Sequence, residues 1–186
     1  MKKCIFVVLL VVISCSYAFA QNSPVDKGAA IISGMASFTS SKVKDAENST
    51  TNIAVVPVVN YFIAPNIFLG GAVEYNSWKH GDNTSSSLGI GPAVGYAIGN
   101  KNSSTFPFIG GRYMFRSSKD SDGTDDYKAT GTTIFIGGGI IAAVKDHIGI
   151  VIEGGYHIMS DKPDGADDSI SSSMISVGIG ISGLLY

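Results

Sequence analysis

Charge is scarce in this chain, and so is cysteine. Only 15% of its 186 residues are Asp, Glu, Lys or Arg, where soluble domains carry about 25%, and the mean hydropathy is mildly positive at +0.25. A formal net charge of −2 offers nothing to a polyanion, so nucleic acid is not an expected partner. The two cysteines, Cys4 and Cys15, both sit at the extreme N-terminus. The rest of the chain therefore has no disulfide framework and no Cys/His metal set, and no cofactor is expected. Long apolar runs are missing too. Beyond residue 20 nothing approaches the roughly 18 consecutive apolar residues that a membrane helix needs, so a helical span is excluded. The length fits one domain.

The first twenty residues hold a targeting segment. Lys2 and Lys3 precede an apolar run from Ile5 to Ile13, and Ala18-Phe19-Ala20 stands before Gln21, the order of a secretory signal. Residues 1–20 are expected to be removed and residues 21–186 to form the mature domain. Cleavage takes away two of the 13 basic residues and none of the 15 acidic ones. Val12-Ile13-Ser14-Cys15 also resembles the bacterial lipobox, which would make a lipidated Cys15 the mature N-terminus. The two readings differ in N-terminal mass.

The remaining charges mark connections. They crowd into segments 42–47, 79–82, 116–128 and 161–168, while Glu74, Arg112 and Glu153 stand alone inside stretches rich in Val, Ile, Tyr, Phe and Gly. Those stretches read as eight strands at 28–40, 51–63, 67–79, 86–98, 106–117, 129–143, 148–160 and 170–186. The connections alternate: segments 41–50, 80–85, 118–128 and 161–169 are polar and mostly long, whereas 64–66 and 144–147 are tight and 99–105 is the longest of its set. Short turns at one rim and polar loops at the other are the pattern of a transmembrane β-barrel. An even strand number puts both termini on the short-turn side. His80 and His147 are expected in solvated connections.

Period-two reading gives each strand two unlike faces. Leu88, Ile90, Pro92, Val94, Tyr96 and Ile98 share one, and Ser87, Gly89, Gly91, Ala93, Gly95 and Ala97 the other; Ile175, Val177, Ile179 and Ile181 oppose Ser176, Gly178, Gly180 and Ser182 in the same way. In a soluble barrel the face opposite the bulky one would carry charge. Here it carries almost none, so the bulky face is expected to meet lipid and the small one to line a narrow, packed interior. Pro57-x-Val59-x-Tyr61-x-Ile63 recurs as Pro92-x-Val94-x-Tyr96-x-Ile98, each leading into a short turn. Tyr61 and Tyr96 are candidates for an aromatic girdle at the inner interface; β propensity alone is the plainer explanation. Both prolines forfeit a ladder hydrogen bond.

With its signal segment, these repeats and a closing Val177-Gly178-Ile179-Gly180-Ile181 strand ending in Tyr186, the mature chain resembles the small OmpA-like outer-membrane β-barrel family. The resemblance implies an all-β, eight-stranded antiparallel barrel in the bacterial outer membrane, monomeric, surrounded by outer-membrane lipids. It also implies insertion by the barrel assembly machinery, which reads a C-terminal strand ending in an aromatic, here Tyr186. That residue lies on the opposite parity to Ile179 and Ile181 unless Gly183 marks a bulge. Its implied role is structural or surface-interacting and not enzymatic. A narrow gated channel is the alternative, and a lipid A-modifying enzyme a lesser one.

Parity points Glu74, Arg112 and Glu153 inward from strands 3, 5 and 7 at similar depth. A lone charge in so narrow an interior is costly, whereas a carboxylate and a guanidinium can satisfy one another bidentately. Arg112 is therefore expected to pair with Glu74 or Glu153, as a gate or as static packing, with His157 on the same face as Glu153. His157 and Ser160 fall on opposite faces, which opposes a lipid A-type site. Asp120, Asp122, Asp125 and Asp126 in one outer segment, and Asp161, Asp164, Asp167 and Asp168 in another, offer oxygen ligands for Ca²⁺. Their spacing misses the EF-hand, and solvated loops are the simpler reading; no metal site is expected.

Overall fold

The alternation of bulky and small side chains is realised as eight strands. The computed structural model describes residues 23–41, 49–122, 126–165 and 168–186; residues 1–22 with Cys15, residues 42–48, Asp125 and Asp167 lie outside them. The strands are β1 Ala30–Ser41, β2 Thr50–Ala64, β3 Ile67–His80, β4 Asn83–Ala97, β5 Thr105–Ser121, β6 Asp126–Lys145, β7 Ile148–Pro163 and β8 Ile170–Leu185. Neighbours pair antiparallel in chain order, and β8 returns to β1 to close the barrel. Both ends of the domain meet at one rim, the terminal rim.

Several strands run further toward the far rim than expected. Residues 80–85 form no loop: β3 and β4 are joined by Gly81 and Asp82 alone, with Gly81 at φ 58°, the positive φ that tight hairpin turns demand. Likewise β5 continues to Ser121 and β6 begins at Asp126. Serine and threonine extend a ladder as readily as they make a loop; their polarity reports water outside the strands, not irregular backbone.

The outward face carries an apolar band with a sharp upper edge. Phe38 gives way to Ser40, Tyr75 to Ser77, Leu88 to Ser86, Phe115 to Ser117, Ile134 to Thr132, Ile158 to Ser160 and Ile175 to Ser173. Below this edge the outward side chains stay exposed, with Ile90 at 62% and Ile109 at 62%, which suits hydrocarbon and no aqueous surface. The two prolines sit in this band. At each, the ladder to the next strand is interrupted, between Val55↔Tyr75 and Val58↔Ala72 and between Ile90↔Phe115 and Ala93↔Arg112. The register is the same on both sides of each gap, so the missing N–H is a local loss that shifts nothing.

Inside, glycines make room for rings. A side chain at Gly95 would run into Phe68, one at Gly155 into Phe135, and one at Gly139 would meet Phe108. A few aromatic side chains thus fill an interior that a full complement of larger residues would overpack. Toward the terminal rim this packing becomes a dry core of Val25, Ile31, Phe62, Phe106 and Leu184, among others, each nearly or fully buried. Residues 23–29 supply part of it. This segment turns at Gly28, φ 93°, and is tied in by Asn66 N donating to Val25 O at 2.8 Å and Gly28 N to Phe62 O at 2.8 Å.

Candidate functional site in the lumen

Two strands carry the paired lumenal charges. On β5 the inward positions include Arg112 and Arg116, and on β7 Glu153, His157 and Asp161; the spacing of four keeps each set on one face of its strand. Strand β6 lies between them. Arg112 reaches across it to Glu153 with two hydrogen bonds, Nη2 to Oε1 at 2.5 Å and Nη1 to Oε2 at 3.1 Å. Both side chains are about nine-tenths buried, at 10% and 11% exposure. The guanidinium also lies 4.0 Å over the Phe135 ring, a cation–π contact strengthened by desolvation.

A second pair stands nearer the far rim, four residues on along β5 and eight along β7. Arg116 Nε donates to Asp161 Oδ1 at 3.1 Å, and Nη2 to Oδ2 completes the fork. Gly131 of β6 is in register with both partners; a Cβ there would fall 2.4 Å from Asp161 Oδ1. Absence of a side chain at Gly131 is what lets the pair form. Sequence reading missed it by counting Arg116, at the end of the fifth strand, among the charges that mark connections and by assigning Asp161 to the connection 161–169, although their spacing from Arg112 and Glu153 carried the signal. Asp161 is consequently spent on Arg116 and not available as a cation ligand. Among the described residues no cluster of three or more acidic or histidine side chains is placed to hold a metal. Asp120 and Asp122 stand at the far end of β5, Asp125 lies outside the described residues, and Asp126 is placed only as the first backbone position of β6.

Glu74 and His157 share the space above the first pair. His157 is buried, shares a hydrogen bond with Ser176 Oγ at 2.8 Å and packs 4.8 Å from Phe135. Glu74 is half-buried and makes no ion pair with a described residue, so Arg112 selects Glu153 of the two candidate carboxylates. A serine against a histidine is half of a nucleophilic site; the other half is a group that fixes the remaining ring nitrogen. Among the described residues none is bonded there, since Glu153 is held by Arg112. Glu74, Arg112, Glu153 and His157 border a cavity of about 380 Å³. Below Arg112 only about 40 Å³ remains before the dry core, room for no more than a few waters.

The aromatic candidates fall at the terminal rim. Tyr61 and Tyr96 point outward, 47% and 45% exposed, and Asn66 Nδ2 donates to Tyr96 Oη at 3.2 Å. Asn66 itself takes φ 69° in the β2–β3 turn, a conformation that asparagine tolerates. Strand β8 pairs with β7 and β1 in unbroken register, so Gly183 marks no bulge and Tyr186 keeps the inward parity. Its ring packs against the dry core and lies 5.2 Å from His147, and its hydroxyl donates to Asp146 O at 2.6 Å. His147 Nδ1 donates to Leu184 O at 2.9 Å. The last turn therefore clasps the C-terminus, and His147 is a partnered residue rather than a free one. His80 is partnered as well, through Thr50 Oγ1 at 2.8 Å and a stacked Trp78.

A family profile described as the outer membrane protein beta-barrel domain matches residues 6–182. The chain belongs to this family. As a member of the outer membrane protein beta-barrel family it is a bacterial outer-membrane protein, with its terminal rim periplasmic and its far rim extracellular. Comparison with curated protein sequences finds no match. Among solved structures, OprG from Pseudomonas aeruginosa is similar over 87% of this chain and 97% of its own, at 14% identity and a TM-score of 0.60. Neisserial surface protein A covers 83% of this chain and 94% of its own, at 18% identity and 0.53. Outer Membrane Protein W of E. coli covers 85% and 97%, at 12% identity and 0.51. At these identities the likeness is one of fold.

Proposed function

We propose that this protein is a non-enzymatic, monomeric outer-membrane barrel whose role is structural or surface-interacting, carried by its extracellular rim and not by transport through its lumen. The observation that supports this most is the dry core at the periplasmic end, where Val25, Phe62, Phe106 and Leu184 are fully or almost fully buried and the N-terminal turn is folded into the same cluster. An aqueous path would have to unpack that core as well as break the Arg112–Glu153 fork. Eight strands in any case enclose an interior wide enough only for side chains or one small ligand, not for a general diffusion pore. Outer-membrane lipids are the surrounding partner. The barrel assembly machinery is the proposed partner during insertion, through β8 and Tyr186, and Tyr61 and Tyr96 are the proposed anchors at the inner interface.

The second reading is a narrow gated channel, favoured by the position of the Arg112–Glu153 pair at the floor of an outward cavity. Purified protein in planar bilayers separates the two. The structural reading expects no stable conductance, and large, steady currents would remove it in favour of the channel. The Ser176–His157 contact makes labelled lipid A a useful third assay: turnover would revive the enzyme, and its absence is expected.

A further inference from the structure

The barrel is not sealed along its whole height. Strand β1 pairs with β2 out to Ser41, and β7 pairs with β8 out to Ile170, but β1 and β8 pair with each other only from Ala30↔Leu185 to Met35↔Gly180. Residues 36–41 and 170–179 face across this seam with no strand partner there among the described residues. The seam opens within the apolar band, because Phe38 and Ile175 are the last outward apolar residues of their strands. Unpaired backbone at that depth is tolerated only where it borders protein or a cavity.

The 380 Å³ cavity is what it borders. Its walls include Met35, Val56 and Met174 from the inward parity, but also Val177 and Ile179 from the lipid-facing parity of β8. Residues 35–37 of β1 and 176–179 of β8, at the two edges of the unpaired seam, line one space, so the cavity abuts the seam. Its charges are unequal. Arg112 is bonded to Glu153 and His157 to Ser176, so the Glu74 carboxylate, near His157, borders a space of mixed apolar and polar walls without an ion pair of its own. Such a group is completed by a charge-assisted donor, and the volume lies in the range of about 300–1,000 Å³ typical of small-molecule sites.

We infer that this cavity binds a free, single-chain amphiphile bearing a primary ammonium group, with the head on Glu74 and the chain between Met35, Val56 and Met174, passing out through the β1–β8 seam. This goes beyond a surface role and rests on the lumen being closed below Arg112. The test uses no conductance, so its failure is distinguishable from failure of that closure.

Calorimetric titration of the refolded, detergent-solubilised protein with octylamine, octanol and octanoate reads the inference directly. Octylamine is expected to bind saturably at one site, at least tenfold more tightly than the other two. Glu74→Gln should reduce octylamine to the level of octanol, and Val56→Trp, which fills the apolar wall, should weaken octylamine at least tenfold. Both variants are first shown to be folded by heat-modifiable migration on gels; Val56→Ser serves if the tryptophan does not fold. Equal binding of the three ligands, no binding of octylamine, or a Glu74→Gln protein that keeps its preference would each overturn the assignment. Short-chain phosphatidylethanolamine preferred over phosphatidylcholine, with octylamine unbound, would overturn it in favour of a lipid headgroup.

Discussion

At the residue scale the lumen depends on pairs that are complete. Removing one partner of a buried ion pair leaves an uncompensated charge and typically costs about 3–5 kcal/mol. Arg112→Ala is therefore expected to lower barrel stability by about that much, read as the urea or temperature midpoint at which the heat-modifiable band is lost. Arg112→Met combined with Glu153→Gln should recover part of the loss, since no charge is then stranded; a double variant as unstable as the single would place the cost in packing against Phe135 instead. Gly131→Val tests the second pair. Its side chain would meet the backbone of Ser160 and the carboxylate of Asp161, so we expect a destabilisation of about 1–3 kcal/mol, the usual scale of overpacking, and little effect if the Arg116–Asp161 fork is dispensable and the strand adapts. The first pair was legible in the sequence because Arg112 and Glu153 are isolated charges inside apolar strands. The second was not, because Arg116 and Asp161 stand among serines, lysines and aspartates that look like loop. Only their spacing of four from Arg116 back to Arg112, and of eight from Asp161 back to Glu153, marks them as inward positions of the same two strands.

At the scale of elements, the strands were legible and what closes them was not. Two-residue periodicity survives in every strand of the apolar band, so existence and parity could be read directly, and the far-rim ends were cut short because polarity was mistaken for loop. Residues 23–29 carry no period at all. Ser-Pro-Val-Asp-Lys-Gly looks like a linker, yet Val25 is completely buried and its carbonyl is bonded to the β2–β3 turn. Burial of one valine side chain contributes roughly 2 kcal/mol, and a carboxylate in its place adds the penalty of a buried charge. Val25→Asp should thus destabilise the barrel by more than Val25→Ala, with Asp26→Ala near neutral because its neighbour alone enters the core. Equal, negligible effects of both Val25 substitutions on the unfolding midpoint would show that the segment does not plug the barrel. The same logic explains Tyr186: its inward parity looked anomalous for a terminal aromatic, and the clasp onto Asp146 and His147 depends on a contact between distant parts of the chain that no local pattern records.

At the scale of the whole molecule, family, strand number and the common rim of both termini fix the orientation in the outer membrane. Proteolysis of intact cells should cut near residues 122–125 and spare Lys101 and Lys145, which lie at the periplasmic rim; the reverse pattern would invert the topology. N-terminal mass separates cleavage after Ala20 from lipidation of Cys15, and cleavage after Ala20 leaves Gln21 and Asn22 ahead of the buried Ser23. The central claim is that the lumen is open to the outside above Arg112 and shut below it. Single cysteines, introduced beyond residue 20 where the sequence has no cysteine of its own, test this most directly. On intact cells, a membrane-impermeant maleimide should label Asn76→Cys, which lines the outward cavity, and should not label Ala97→Cys, which is 1% exposed in the dry core. Labelling of both from the outside would contradict a closed periplasmic half, and labelling of neither would contradict the open outer one.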